Sequence, residues 1–134
     1  MINFTANIRP VGKARARVTR YGSYTPQKTK DFEQAIGWEF KRSYPNHQII
    51  VSPIKLTVVA CFTVPKSYTN KKTVKCLSGE IRHIVKPDID NIAKGVMDAL
   101  NGLAYKDDNL VCELIVSKIY GERDYVSIVI DNVV

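Results

Sequence analysis

The chain has 134 residues, 45% of them hydrophobic and 25% charged, a length and balance suited to one globular domain with its own core and not to a disordered segment. No apolar run reaches the roughly 18 residues that a membrane span needs, and the first residues mix Asn, Thr and Arg where a signal peptide would be apolar. The excess of 20 basic over 13 acidic residues, +7 in all, makes a polyanion the expected partner, nucleic acid before acidic membrane.

Residues 2–8 alternate weakly and predict a first strand. Residues 9–20 then carry Arg9, Lys13, Arg15, Arg17 and Arg20 without one acid, and Tyr21-Gly22-Ser23-Tyr24 reads as the tip of a hairpin. Thr25 and Pro26 predict a helix start, with Thr as N-cap and Pro in the first turn. Phe32, Ala35, Ile36 and Phe40 follow at helical spacing, and Pro45 with Asn46 closes the helix near Tyr44. Trp38 and Phe40 are expected as core or dimer contacts.

From Ile54 onward, Leu56, Val58, Ala60 and Phe62 share one side of a strand, which predicts a buried sheet face. Residues 65–85 form a polar stretch with Lys66, Lys71, Lys72, Lys75 and Arg82 against a single Glu80, expected to be a long functional or mobile loop. Residues 90–100 predict a second helix with Ile92, Val96, Ala99 and Leu100 on its apolar side and Asn101-Gly102 as its stop. Two strands, 110–120 and 125–134, joined through Gly121-Glu122-Arg123-Asp124, predict an antiparallel hairpin. The order is β-hairpin, α, β, loop, α, β, β: an α+β domain over residues 1–134, with a mixed sheet and two main helices.

Cys61, Cys76 and Cys112 are odd in number and widely spaced, which excludes a zinc knuckle or a disulfide framework. Cys61 and Cys112 are expected in the core, Cys76 in an exposed loop. A reducing, cytoplasmic setting suits all three.

The chemistry concentrates in Lys86-Pro87-Asp88-Ile89-Asp90-Asn91-Ile92-Ala93-Lys94, with Asp98 and Asp107-Asp108 beyond it. Asp88 and Asp90 are two apart at the helix entrance, where extended backbone sends both side chains the same way. Asp90, Lys94 and Asp98 are spaced i, i+4, i+8 along one helical face. Carboxylates repel one another unless a hard divalent cation neutralises them, and their oxygens are the ligands that magnesium or manganese takes. Such ions activate water and stabilise the leaving oxygen of a phosphodiester, with Lys94 placed to steady the phosphate charge or position the water. The basic residues on either side, with Tyr21, Tyr24 or Tyr68 for stacking, supply nucleic-acid contacts. In the simpler reading the acids only cap a helix and Asp107-Asp108-Asn109 is an ordinary turn. The complete set, lysine and second acidic pair included, favours the site.

The stretches KPDIDNIAKGVMDALNG (86–102) and YKDDNLV (105–111) resemble the signature of the RusA family of Holliday junction resolvases, and RPVGKARARVTRYGSYTP extends the resemblance weakly toward the N-terminus. The resemblance implies a homodimeric, Mg2+-dependent endodeoxyribonuclease, Mn2+ substituting, that nicks four-way junctions symmetrically in recombination and repair. It implies metal-ligand roles for Asp88, Asp90 and Asp108, a catalytic role for Lys94, and supporting roles for Asn91, Asp98 and Asp107. Lys13, Arg15, Arg17, Arg20, Lys66, Lys71, Lys72 and Lys86 are the expected DNA contacts. Gly12 and Ala16 depart from the family by standing where prolines are common. Two alternatives remain at this level: a non-catalytic basic DNA-binding protein, and a nuclease acting on flaps or other branched nucleic acids. His47 and His83 lack partners in the sequence, though His83 lies close enough to the acids to be weighed as a DNA contact.

Overall fold

In the computed structural model, residues 1–13, 17–20, 22–24 and 26–133 are described, the side chains of residues 17–19, 23 and 24 excepted. They form a small mixed α+β domain with a four-stranded sheet, a separate two-stranded hairpin and three α-helices. In chain order these are β1 (Ile2–Ala6), β2 (Arg17–Thr19), β3 (Gly22–Tyr24), α1 (Gln27–Ser43), β4 (Ile54–Thr63), α2 (Asn70–Leu77), α3 (Ile89–Leu100), β5 (Val111–Gly121) and β6 (Tyr125–Asn132). A 3-10 turn, Asp108–Leu110, leads into β5. No helix among the described residues is long and apolar enough to cross a membrane.

The alternation from Ile54 determines the core. Leu56, Val58, Ala60 and Phe62 are fully buried, in register with Val126, Ile128 and Ile130 of β6, and Ile2, Phe4 and Ala6 of β1 continue the same face. Against it pack Phe32, Ile36 and Phe40 of α1 and Ile92, Val96 and Leu100 of α3. Burying each such side chain contributes roughly 1.5–3 kcal/mol, so this layer holds the domain together. The two helices touch each other closely: a Cβ on Gly95 would stand 3.2 Å from the Phe32 ring. That contact fixes α3, and with it the acidic entrance, against α1.

Three expectations are corrected. The two last strands are not a hairpin. The sheet order is β1-β6-β4-β5, with β4 inserted between β5 (parallel to it) and β6 (antiparallel to it). The link through residues 122–124 therefore passes over the end of β4, where the Asp124 carboxylate accepts from Thr63 N at 2.8 Å and Thr63 Oγ1 at 2.9 Å. Crossing two strand spacings of about 4.8 Å is within reach of three extended residues.

The long polar segment is not structureless either: it holds α2, capped by the Thr69 side chain accepting from Lys72 N at 3.2 Å. Its lysine-rich sequence buries only Cys76, too narrow an apolar stripe to show as periodicity. Cys76 is thus buried and Cys112, on the outer strand, is exposed, the reverse of what was expected; Cys61 is buried as expected.

Boundaries shift slightly. Pro26 is the N-cap of α1, so the helix begins one residue later than expected, and Thr25 lies outside the described residues. Gly22 to Tyr24 is strand β3, so the hairpin turn falls earlier than the predicted tip; Tyr21 too lies outside the described residues.

Candidate active site

The site is built from the two ends of α3. At its entrance the chain bends through Lys86 and Pro87, joined by a cis peptide bond, to Asp88, which is the N-cap with φ −69° and ψ 149°. Asp88 and Asp90 are both exposed, and the Asp88 side chain makes no capping hydrogen bond. A carboxylate in that position ordinarily accepts from a backbone N–H of the first turn. The simpler reading, in which these acids serve the helix, is therefore not supported at Asp88.

At the far end Asn101 caps α3, and Gly102, with φ +74°, turns the chain back along the helix. Tyr105 anchors the return. Its ring is fully buried and its hydroxyl donates to Met97 O at 2.8 Å. Burial pushes the Tyr105 hydroxyl well above the ordinary tyrosine range, and the charges of Asp108, Asp98 and Asp107 push the same way, so it stays a neutral donor. Lys106 N then donates to Ile50 O at 2.9 Å, and the Asp107 side chain accepts from Asn109 N at 3.2 Å, capping the 3-10 turn.

This return brings Asp108 to α3. The Lys94 ammonium lies 2.9 Å from Asp98 Oδ1 and 3.5 Å from Asp108 Oδ2, joining the helix to the second acidic pair. The hydrogen bond that Lys94 donates to Asp98 is the main reason that Lys94 is held above its ordinary pKa, with Asp108 adding to it. Lys94 is a permanent cation at neutral pH, and with 54% of its side chain exposed it can meet a phosphate from solvent. Asp98 also receives Lys13, at 3.2 Å, and Lys13 pairs in addition with Glu33 of α1. Burial opposes the Lys13 charge, but its two carboxylate partners outweigh that and raise its pKa. Asp98 thus links the two lysines.

Carboxylate oxygen suits a hard divalent cation in kind. Among the described residues, however, no three His, Cys, Asp or Glu side chains stand close enough together to hold an ion. The structure brings Asp108 to Lys94 and Asp98, and leaves Asp88 and Asp90 at the helix entrance without an ion pair among the described residues.

Of the expected DNA contacts, Lys66, Lys71, Lys72 and Lys86 are exposed, as is Arg20, which also has an interaction within the chain. The Lys72 ammonium lies 3.8 Å from the centre of the Tyr68 ring, so Tyr68 is half-covered from within the chain. Lys13 is held by two acids, Arg15 lies outside the described residues, and Arg17 is placed in β2 by its backbone alone. Asn91 is exposed, and its carbonyl accepts from Lys13 N at 2.8 Å. Trp38 is 63% exposed while Phe40 is core. His47 is bonded to Ala104 O at 2.7 Å.

Near the entrance Lys118 escaped the sequence reading, and His83, weighed there as a DNA contact, takes a different place. Lys118 stands on the core-facing side of β5, in the alternation Leu114, Val116, Lys118, Tyr120, and its ammonium donates to Val85 O at 2.8 Å and Pro87 O at 3.0 Å. It straps the segment that carries Asp88 to the sheet. A lysine where the strand period calls for an apolar residue was the available signal. His83 is 5% exposed, stacked on Phe62 with ring centres 3.9 Å apart, and its Nδ1 lacks a hydrogen-bond partner among the described residues. Burial pulls its pKa down and the nearby Lys118 and Arg9 charges add to that, so it is a neutral packing residue and not a surface DNA contact.

A domain of this architecture, with paired acids at one helix entrance and a lysine-bridged acidic turn at the helix exit, is consistent with a nuclease. The family model of the endodeoxyribonuclease RusA matches residues 7–131, and the chain belongs to that family. It is also similar to the uncharacterized protein YqaN of Bacillus subtilis (strain 168), with 40% identity covering 98% of this chain and 96% of that protein.

Proposed function

We propose that residues 1–134 form a single Mg2+-dependent, structure-selective endodeoxyribonuclease domain that acts as a homodimer and resolves four-way DNA junctions by paired symmetric nicks. The observation that carries this reading is the Lys94 bridge. Asp98 at 2.9 Å and Asp108 at 3.5 Å bind one exposed ammonium, drawing the second acidic pair to the helix that begins with Asp88 and Asp90. In this reading Asp88, Asp90 and Asp108 would hold the divalent cation, Mn2+ serving in place of Mg2+, which would supply an activated water and neutralise charge at the phosphate. Lys94, cationic throughout the neutral range, stabilises the phosphate oxygen that gains charge. Asp98 orients Lys94, and Asp107 holds the turn that presents Asp108. Lys66, Lys71, Lys72 and Lys86, with Arg15, Arg17 and Arg20, meet the DNA backbone, while Lys13 braces α3 against α1. A two-fold dimer matches the two equivalent strands of a junction.

The test is cleavage of a synthetic four-way junction with and without Mg2+, beside Asp90→Asn. Paired nicks that need both the metal and Asp90 support the reading. The ungathered acids favour one rival, a non-catalytic DNA-binding protein. That rival predicts salt-sensitive junction binding without a cut in Mg2+ or Mn2+. Equal cutting of flaps, duplex and junction would keep the nuclease and remove the junction preference.

A further inference from the structure

Beside the acidic entrance lies a cavity of about 560 Å3 whose apolar lining has no part in metal or backbone binding. Its floor is apolar: Pro10 and Val11 from the segment after β1, Phe32 from α1 and Pro87 from the approach to α3. Cations line it as well: Lys28 on the first turn of α1 and Lys86 beside the cis-proline, both exposed, and Arg9, which also pairs with Asp124 at 3.3 Å. A second depression of about 300 Å3 shares Gly12, Lys86 and Pro87 with it and ends at Asp88 and Asn91. The two make one groove that leads from Asp88 into the apolar cavity.

The walls are fixed. A Cβ on Gly12 would stand 2.9 Å from Pro87 Cβ and 3.1 Å from Asn91 Cβ, so the N-terminal segment is seated directly on the entrance of α3. Lys13 N bonds Asn91 O at 2.8 Å next to it. Lys118 holds the Val85 and Pro87 carbonyls from the other side.

We infer that this cavity receives one unstacked nucleotide next to the phosphate that is cut, a reading that rests on the nuclease function proposed above. The size lies within the roughly 300–1,000 Å3 range of small-ligand sites, whose walls are mostly apolar with a few polar groups. A nucleobase presents two apolar faces to such walls, and the phosphate attached to it meets Lys86 and Lys28. A base held against these apolar walls must leave its stack, at a cost that is smallest where stacking is already broken, as at a branch point. The Asp31 carboxylate lines the cavity; its Oδ1 accepts from Gln27 Nε2 at 2.8 Å, and its other oxygen would accept from an exocyclic amino group and favour an amino-bearing base over thymine.

The experiment places 2-aminopurine, one position at a time, at the nucleotides flanking the cut in a four-way junction and measures its fluorescence with the full chain bound in the absence of divalent metal. A severalfold rise at one position is expected. Val11→Trp, which fills the cavity, should abolish the rise, and Lys28→Glu, on an exposed helix surface that tolerates the change, should weaken it even if the tryptophan variant does not fold. No rise at any position on a junction that is bound and then cut overturns the nucleotide pocket and leaves the nuclease intact. A rise that survives in both variants overturns it as well. A junction bound with the expected rise but never cut upholds the pocket and overturns the nuclease reading beneath it.

Discussion

The two ends of α3 carry acids of the same kind in opposite situations. At the exit, Asp107 caps its own turn through Asn109 N, and Asp108 is bonded to Lys94. At the entrance, Asp88 occupies the N-cap yet its side chain makes no capping hydrogen bond, while Lys118 holds the Pro87 carbonyl before it and Lys13 N the Asn91 carbonyl after it. Structure is maintained at the exit by the carboxylates and at the entrance without them. A side chain relieved of local duties is available for a ligand, and that distinction lies in the hydrogen bonds, not in the residue types.

This contrast can be broken most decisively at the entrance. Asp88→Asn and Asp90→Asn should each lower junction cleavage by at least roughly 10²–10³-fold, the loss usual for one electrostatic group in an active site. Their thermal midpoints should stay close to the parent's. A large fall in stability would instead return these acids to the helix. Lys94→Met should cost about 10²-fold in turnover. Because Asp98 and Asp108 raise the Lys94 pKa, the parent's rate should show no basic limb from this group until above its ordinary value of about 10.4. A limb near neutrality would sink the cationic role.

Smaller effects sharpen the role of the grip. Lys118→Met should slow cleavage by about tenfold, on the reasoning that a modest misplacement of reacting groups costs one to two orders of magnitude. Faster amide exchange should appear in residues 84–88, and Lys118→Arg should recover part of both. His83 in the same approach sets an acid limit. Its folded pKa lies below the unfolded value of about 6.5, so the unfolded chain takes up a proton that the folded chain refuses. Stability is complete above that pH and declines as pH falls through it, by at most about 1.4 kcal/mol per pH unit. His83→Phe should flatten the decline in a urea titration series. Last, Asp107→Ala should cost about 1 kcal/mol of stability, as for the loss of a cap, while leaving more cleavage than any entrance variant.

What could be read from the chain was whatever a short period or a dense motif encodes. The buried alternation of Leu56 to Phe62, the Phe32-Ile36-Phe40 stripe and the stop at Asn101-Gly102 appear where expected, because each depends on neighbours within a few residues. The insertion of β4 between β5 and β6 was hidden because a four-residue link reads the same whether its strands pair with each other or flank a third. The short α2 was hidden by its lysines, and the bracing of Lys13 by Glu33 and Asp98 by its place in a run of apparently similar cations. Lys118 was legible in principle and overlooked, since a single charged residue in a strand draws less notice than a cluster of acids.

The threading of β4 also sets a kinetic condition. This central strand joins Ile54 to Val111 on one side and to Asn132 on the other, so both of its neighbours come from far along the chain. Loop closure over such separations is entropically slow, and contact-rich sheets of this kind fold in milliseconds to seconds where helical domains take microseconds. Until both neighbours arrive, ten residues, half of them β-branched, present two unpaired edges. Crowded or hot conditions will therefore select against this protein through association of its unfinished chains before they unfold any finished one.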